Sequence, residues 1–140
     1  MKFWILIISY GISLNVFSFD VQILHTNDVH GLVEHSVFDK KIGGFEKLKA
    51  IIEREKKQAL SQNIPTLLFD SGDFLEGSIF YMADKGRSLF QLMDSIGYNA
   101  VTMGNHDWLM GINSMNDMLK HSKFNFDYLV ANFKSFEFYS

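Results

Sequence analysis

The chain is 140 residues long, a length that fits one domain, and its 47% hydrophobic and 15% aromatic content is enough to build a core. A single proline beside 14 phenylalanines excludes a disordered or linker-like chain. With 13 basic and 16 acidic residues the formal charge is −3, which offers no basic field to a nucleic-acid polymer, and the absence of cysteine excludes disulfides, thiolate metal sites and cysteine nucleophiles.

The N-terminus begins Met1-Lys2, runs almost wholly apolar from Phe3 to Ile12, and passes through Val16-Phe17-Ser18 to Phe19-Asp20. A short basic start, an apolar stretch and a permissible cleavage site describe a secretory signal over residues 1–18, cut after Ser18. The apolar run falls short of the ~20 residues that a bilayer core requires, so no membrane span is expected. The mature chain, residues 19–140, is therefore expected to be exported, to a periplasm or to the extracellular space.

Residues 21–26 form a compact apolar run suited to a buried strand. Phe45, Leu48, Ile51, Ile52 and Leu60 then recur at helical spacing among Lys and Glu, which predicts an amphipathic helix over 45–62, broken by Ile64-Pro65. A second strand is predicted at 66–69, ending at Asp70-Ser71-Gly72-Asp73. Ser88 is positioned to cap a helix carrying Leu89, Phe90, Leu92, Met93 and Ile96, with Gly97 closing it. A third strand at 100–103, a helix at 112–120 and a fourth strand at 128–131 complete the pattern. Strands alternating with helices predict an α/β layered sheet with flanking helices, while periodicity leaves open whether every strand is parallel.

Polar clusters follow the first three strands, where open α/β sheets place their ligand crevice. In Asp28-Val29-His30-Gly31 an extended segment would aim a carboxylate and an imidazole the same way, able to grip one metal. Asp73 follows a glycine at the second strand end, and Asn105 and His106 follow the third. Asp70 reads as a turn or supporting residue, His25 as a core or supporting histidine, His35 as a loop residue and His121 as a solvated helix end. Each cluster alone is explained by an ordinary turn; the convergence of the three on one region points to a metal centre.

Leu24-His25-Thr26-Asn27-Asp28-Val29-His30-Gly31, Gly43-Gly44-Phe45, Asp70-Ser71-Gly72-Asp73 with Gly77-Ser78, and Gly104-Asn105-His106-Asp107 arrive in one order along nearly the whole mature chain. In these segments the sequence resembles the calcineurin-like metallophosphoesterases, and more narrowly the 5′-nucleotidase, UDP-sugar hydrolase and apyrase group. The resemblance implies that Asp28 and His30 hold a first divalent ion, that Asp73 bridges to a second and that Asn105 ligates the second. It places His106 beside the scissile phosphate, as the residue that stabilises charge or assists the leaving oxygen. The two ions would be Zn²⁺, Mn²⁺, Mg²⁺ or Fe, and the substrate a nucleotide or related phosphate ester.

Two departures stand out. Many family members carry an aspartate three residues after the motif histidine, orienting its imidazole; here that position is Leu109, and Asp107 is the alternative orienting group. The family also draws further metal ligands and a nucleotide-binding domain from downstream sequence. Phe133, Phe136, Phe138 and Tyr139 crowd the end of the chain, a composition expected to pack against another layer of protein. The chain is therefore expected to be the N-terminal part of a catalytic domain whose C-terminal portion is its missing partner. The alternative is a non-catalytic secreted remnant that binds at most one metal or a partner protein.

Overall fold

The computed structural model describes residues 19–31 and 43–131. The expected signal segment, His35 and the aromatic terminal stretch lie outside the described residues. Four strands, β1 (Gln22–Thr26), β2 (Thr66–Asp70), β3 (Ala100–Thr102) and β4 (Asp127–Leu129), form one sheet in the order β1-β2-β3-β4. Every neighbouring pair is parallel, which settles the orientation that periodicity left open. The intervening helices are α1 (Phe45–Ser61), α2 (Ile79–Asp84), α3 (Arg87–Ile96) and α4 (Ile112–His121), with a 3-10 turn at Asn105–Asp107. Among the described residues no helix is long and apolar enough to cross a membrane.

The register divides the sheet into two unlike faces. Leu24 pairs with Leu68, and Val101 with Tyr128, on the face that the helices cover. There Leu68, Leu89, Phe90, Met93, Val101 and Met118 are almost fully enclosed, with Phe45 and Ile52 of α1 in the same cluster. Phe90 is the centre of an aromatic group, 5.1 Å from Phe74, 5.0 Å from Phe124 and 5.8 Å from Tyr128, ring centroid to centroid. On the opposite face Ile23 pairs with Leu67 and Thr102 with Leu129, and Ile23, Leu67 and Leu129 are all exposed. His25 lies on that open face and is exposed, so it is not the core histidine that its apolar neighbours suggest.

Two local expectations change. Helix α2 was not legible, because its six residues contain less than two full turns of pattern. Ser88 is not the N-cap of α3: Gly86 holds that position, and Asp84 serves the helix start by accepting from the N–H groups of Gly86 (3.0 Å) and Ser88 (2.9 Å) and from the Ser88 hydroxyl. A carboxylate at a helix N-terminus satisfies orphan donors and meets the positive end of the helix dipole. The other end follows expectation, with Gly97 in the left-handed region at φ 79°.

Candidate metal centre

The loops after β1 and β2 run side by side as a continuation of the sheet. Ser71 N–H donates to the Thr26 carbonyl, Asp28 N–H to that of Gly72, His30 N–H to that of Asp73 and Gly31 N–H to that of Phe74, all between 2.8 and 3.0 Å. The β1 loop is nevertheless not extended. Asp28 (φ 54°) and His30 (φ 50°) are both left-handed, as is Asp73 (φ 58°). Such backbone costs of order 1–3 kcal/mol per residue and gathers at functional sites. The expected pairing of Asp28 with His30 is met, but through two left-handed residues rather than through strand alternation.

Asp28, His30 and Asp73 each offer a ligand atom, and these atoms lie within 4.8 Å of one another. The orientation of each group favours a cation. His30 Nδ1 is 3.0 Å from the Glu76 main-chain carbonyl, which can only accept, so Nδ1 carries a hydrogen and Nε2 is the ring nitrogen turned to a ligand. That Nε2 lies 3.8 Å from Asp28 Oδ1, while the Asn27 amide donates to the other Asp28 oxygen at 2.5 Å. Two carboxylates and an imidazole form a hard-to-borderline donor set that fits a divalent ion of the kind named above.

Asp107 binds the β3 loop to the β2 loop. Its buried carboxylate accepts from four main-chain N–H groups: Asp73 and Gly104 on Oδ2 (both 2.8 Å), and Phe74 and Leu75 on Oδ1 (both 2.9 Å). Burial pushes its pKa upward, while these donors favour the charged form. Asp107 therefore does not orient the His106 ring, as was considered from sequence; its oxygens are used by the backbone. The loops touch so closely that glycine is required where they meet. A Cβ at Gly104 would collide with the Asp73 carboxylate, and one at Gly72, already at φ 99°, with the Gly104 backbone.

Asn105 and His106 open the 3-10 turn beside this contact. Asn105 is exposed, and the His106 N–H donates to Asp73 Oδ1 at 2.7 Å. The His106 ring stands against His30, centroids 5.0 Å apart and planes at 71°. Its Nδ1 is 2.5 Å from Glu76 Oε2. That hydrogen bond is the main cause of a raised His106 pKa, with the charges of Asp73, Glu76 and Asp107 adding to it. The ring accordingly holds its proton over more of the neutral range than an ordinary imidazole. Glu76 was not singled out in the sequence; its only signal was its place three residues after Asp73, in the same loop.

Asp70 is buried on the covered face, as a supporting residue. It accepts from Gly72 N–H (2.9 Å) and from the Thr26 hydroxyl (2.6 Å), which in turn is 2.7 Å from the Tyr98 hydroxyl. Burial raises its pKa to about 6 and that of Tyr98 to about 12. His121 is exposed at the end of α4 with Nδ1 on the Asp117 carbonyl (2.7 Å), a helix-end histidine as expected.

Residues 21–140 match the calcineurin-like phosphoesterase family. A snake venom 5′-nucleotidase of Gloydius brevicauda is 36% identical over 128 residues, covering 89% of this chain and 21% of the relative. The 5′-nucleotidase of Bos taurus is 31% identical over 124 residues, covering 83% and 21%. Among solved structures, the Haemophilus influenzae NAD nucleotidase superposes with a TM-score of 0.67 at 24% identity, covering 80% of this chain and 20% of that one. The 5′-nucleotidase precursor of Thermus thermophilus superposes with a TM-score of 0.64 at 25% identity, covering 80% and 22%. The chain thus spans about a fifth of the length of these relatives. Calcineurin-like phosphoesterases use divalent metals, in keeping with the donor set at the strand ends. With the family match over residues 21–140 and 5′-nucleotidases among its relatives, this chain belongs to the calcineurin-like phosphoesterase family.

Proposed function

We propose that the chain is the N-terminal part of the catalytic domain of an exported, metal-dependent hydrolase that cleaves phosphate esters of nucleotides. The observation that carries this reading is the convergence of Asp28, His30 and Asp73 from two adjacent strand ends, with His30 Nε2 left free to ligate. The 5′-nucleotidase relatives support a nucleotide as the substrate, and the basic-then-apolar start of residues 1–18 supports export.

In this reading Asp28, His30 and Asp73 would hold a divalent ion, and Asp73 with Asn105 would contribute ligands to a second. Ions bound there would supply Lewis-acid polarisation of the phosphoryl group and acidification of a water for in-line attack on phosphorus. The chain's own residues do the rest. The Asp73 carboxylate spans the loops, one oxygen already receiving the His106 N–H, which holds the third loop against the ligands. His106, with its proton stabilised by Glu76, offers Nε2–H to the charge that develops on the transferring group or the leaving oxygen.

The test is divalent-metal-dependent phosphate release from AMP by the purified chain, with bound metal counted in the same sample. Release that disappears in His106→Ala while metal stays bound is the expected result, with a loss of roughly 10²-fold or more from the missing proton donor. Metal bound at one equivalent or less without phosphate release would favour the non-catalytic reading, in which this segment binds at most one ion or a partner protein.

A further inference from the structure

We propose that Glu76 is the positioning residue for both imidazoles of the site, setting His106 through its carboxylate and His30 through its main-chain carbonyl. The proposal deepens the function above, and only its consequence for turnover depends on that reading. Two contacts carry it: Oε2 lies 2.5 Å from His106 Nδ1, and the carbonyl oxygen lies 3.0 Å from His30 Nδ1. Both acceptors act on Nδ1, so each ring keeps its Nδ1 hydrogen toward Glu76 and leaves Nε2 as the nitrogen that can meet a ligand or substrate. A single residue thereby fixes the tautomer of each ring and the edge-to-face contact between them.

Glu76 is well held for this purpose. The preceding residue, Leu75, is tied by its N–H to Asp107 Oδ1 at 2.9 Å. The following residue, Gly77, is so close to His30 that an added Cβ would come within 2.5 Å of its carbonyl oxygen. Leu109, three residues after His106, has no polar side-chain atom to offer. It lies with Glu76 along one cavity of about 630 Å³, lined also by Tyr81, Met82 and Met110. The orienting carboxylate thus enters from the β2 loop rather than from the turn that carries the histidine. A loop-to-loop bond also makes the His106 ring sensitive to how the β2 and β3 loops are joined, which a carboxylate on its own turn would not.

The test reads the ring nitrogens directly, by ¹H–¹⁵N correlation of the histidine side chains in the purified chain, for wild type, Glu76→Ala and Glu76→Gln. The expected result is a hydrogen-bonded Nδ1–H resonance of His106 that is lost in Glu76→Ala. It should persist in Glu76→Gln, moved to the position of a bond to a neutral acceptor. The Nδ1–H of His30, held by the main chain, should persist in both variants. A His106 resonance unchanged in either variant overturns the proposal; should Glu76→Ala fail to fold, Glu76→Gln decides alone. Where the wild type turns over AMP, Glu76→Ala should lower kcat by roughly 10–100-fold with KM and metal content unchanged. Adding Leu109→Asp to Glu76→Ala should restore part of that loss, which relief of a merely structural defect would not do. Absence of turnover in the wild type would remove the functional reading and leave the ring spectra to judge the positioning role.

Discussion

Four aspartates stand at the ends of the first three strands or in the loops that follow them, and they divide into two pairs with opposite environments. Asp28 and Asp73 keep carboxylate oxygens directed at the space beside His30. Asp70 and Asp107 are buried, and their oxygens are spent on Thr26, Gly72 and the four N–H groups around the β2 loop. Within Asp70-Ser71-Gly72-Asp73 both kinds occur three residues apart. The difference comes from what each carboxylate faces. One that faces N–H groups in the interior becomes a clamp, because each unsatisfied buried donor would cost about 1–3 kcal/mol. One that faces another carboxylate and an imidazole receives a single donor, the Asn27 amide at Asp28 and the His106 N–H at Asp73, and retains the capacity to bind a cation.

The sharpest way to break this division is to remove the clamp. Asp107→Ala takes the acceptor from four main-chain N–H groups and should cost at least about 3 kcal/mol, a large part of the 5–15 kcal/mol that typically holds a domain together. Urea unfolding would register it, and a loss below about 1 kcal/mol would show that the loops are held without this carboxylate.

Asp73→Asn should do the reverse, leaving the fold and abolishing metal binding. An asparagine oxygen can still accept the His106 N–H, and the main-chain bonds to Asp107 and His30 are untouched. Metal content should fall well below that of the native chain, while the unfolding midpoints of the two metal-free proteins stay the same. Full metal content in the variant would remove Asp73 from the ligand set.

The effect confined to one side of a pH range belongs to Asp70→Asn. A carboxyl whose pKa rises from 3.8 to about 6 on folding holds its proton more tightly in the folded state. Its contribution is therefore complete below pH 3.8 and is lost as the pH rises through about 6. Asparagine removes that dependence while keeping an acceptor for Gly72 and a partner for Thr26. The metal-free variant should gain up to about 3 kcal/mol at pH 7 over the native chain and match it near pH 4. Parallel stability curves for the two proteins across that range would contradict the assignment.

The two faces of the sheet carry the same lesson in apolar residues. Leu68 and Leu67 are adjacent in β2, one fully enclosed and the other exposed, because successive strand residues point to opposite faces and helices cover only one. Nothing in the run Thr66-Leu67-Leu68-Phe69 tells its two leucines apart, since alternation is absent. Which of its leucines is covered depends on where the helices lie, and that information is not local.

The sequence by itself determined the order of the strands and of the longer helices, the strand ends that bear the polar clusters, and Asp28, His30 and Asp73 as candidates within them. Those follow from periodicity and from glycine-rich turns, both set by neighbours within a few positions. Only the tertiary structure decided that Asp28 and His30 meet through left-handed backbone, that Asp107 clamps the loops rather than orienting an imidazole, that Asp84 serves the helix start assigned to Ser88, and that Glu76 reaches His106. Each of these rests on contacts between residues up to tens of positions apart, or on φ angles that a neighbouring loop enforces. Such contacts leave no periodic trace in the chain, because a carboxylate's role depends on the donors that folding brings to it.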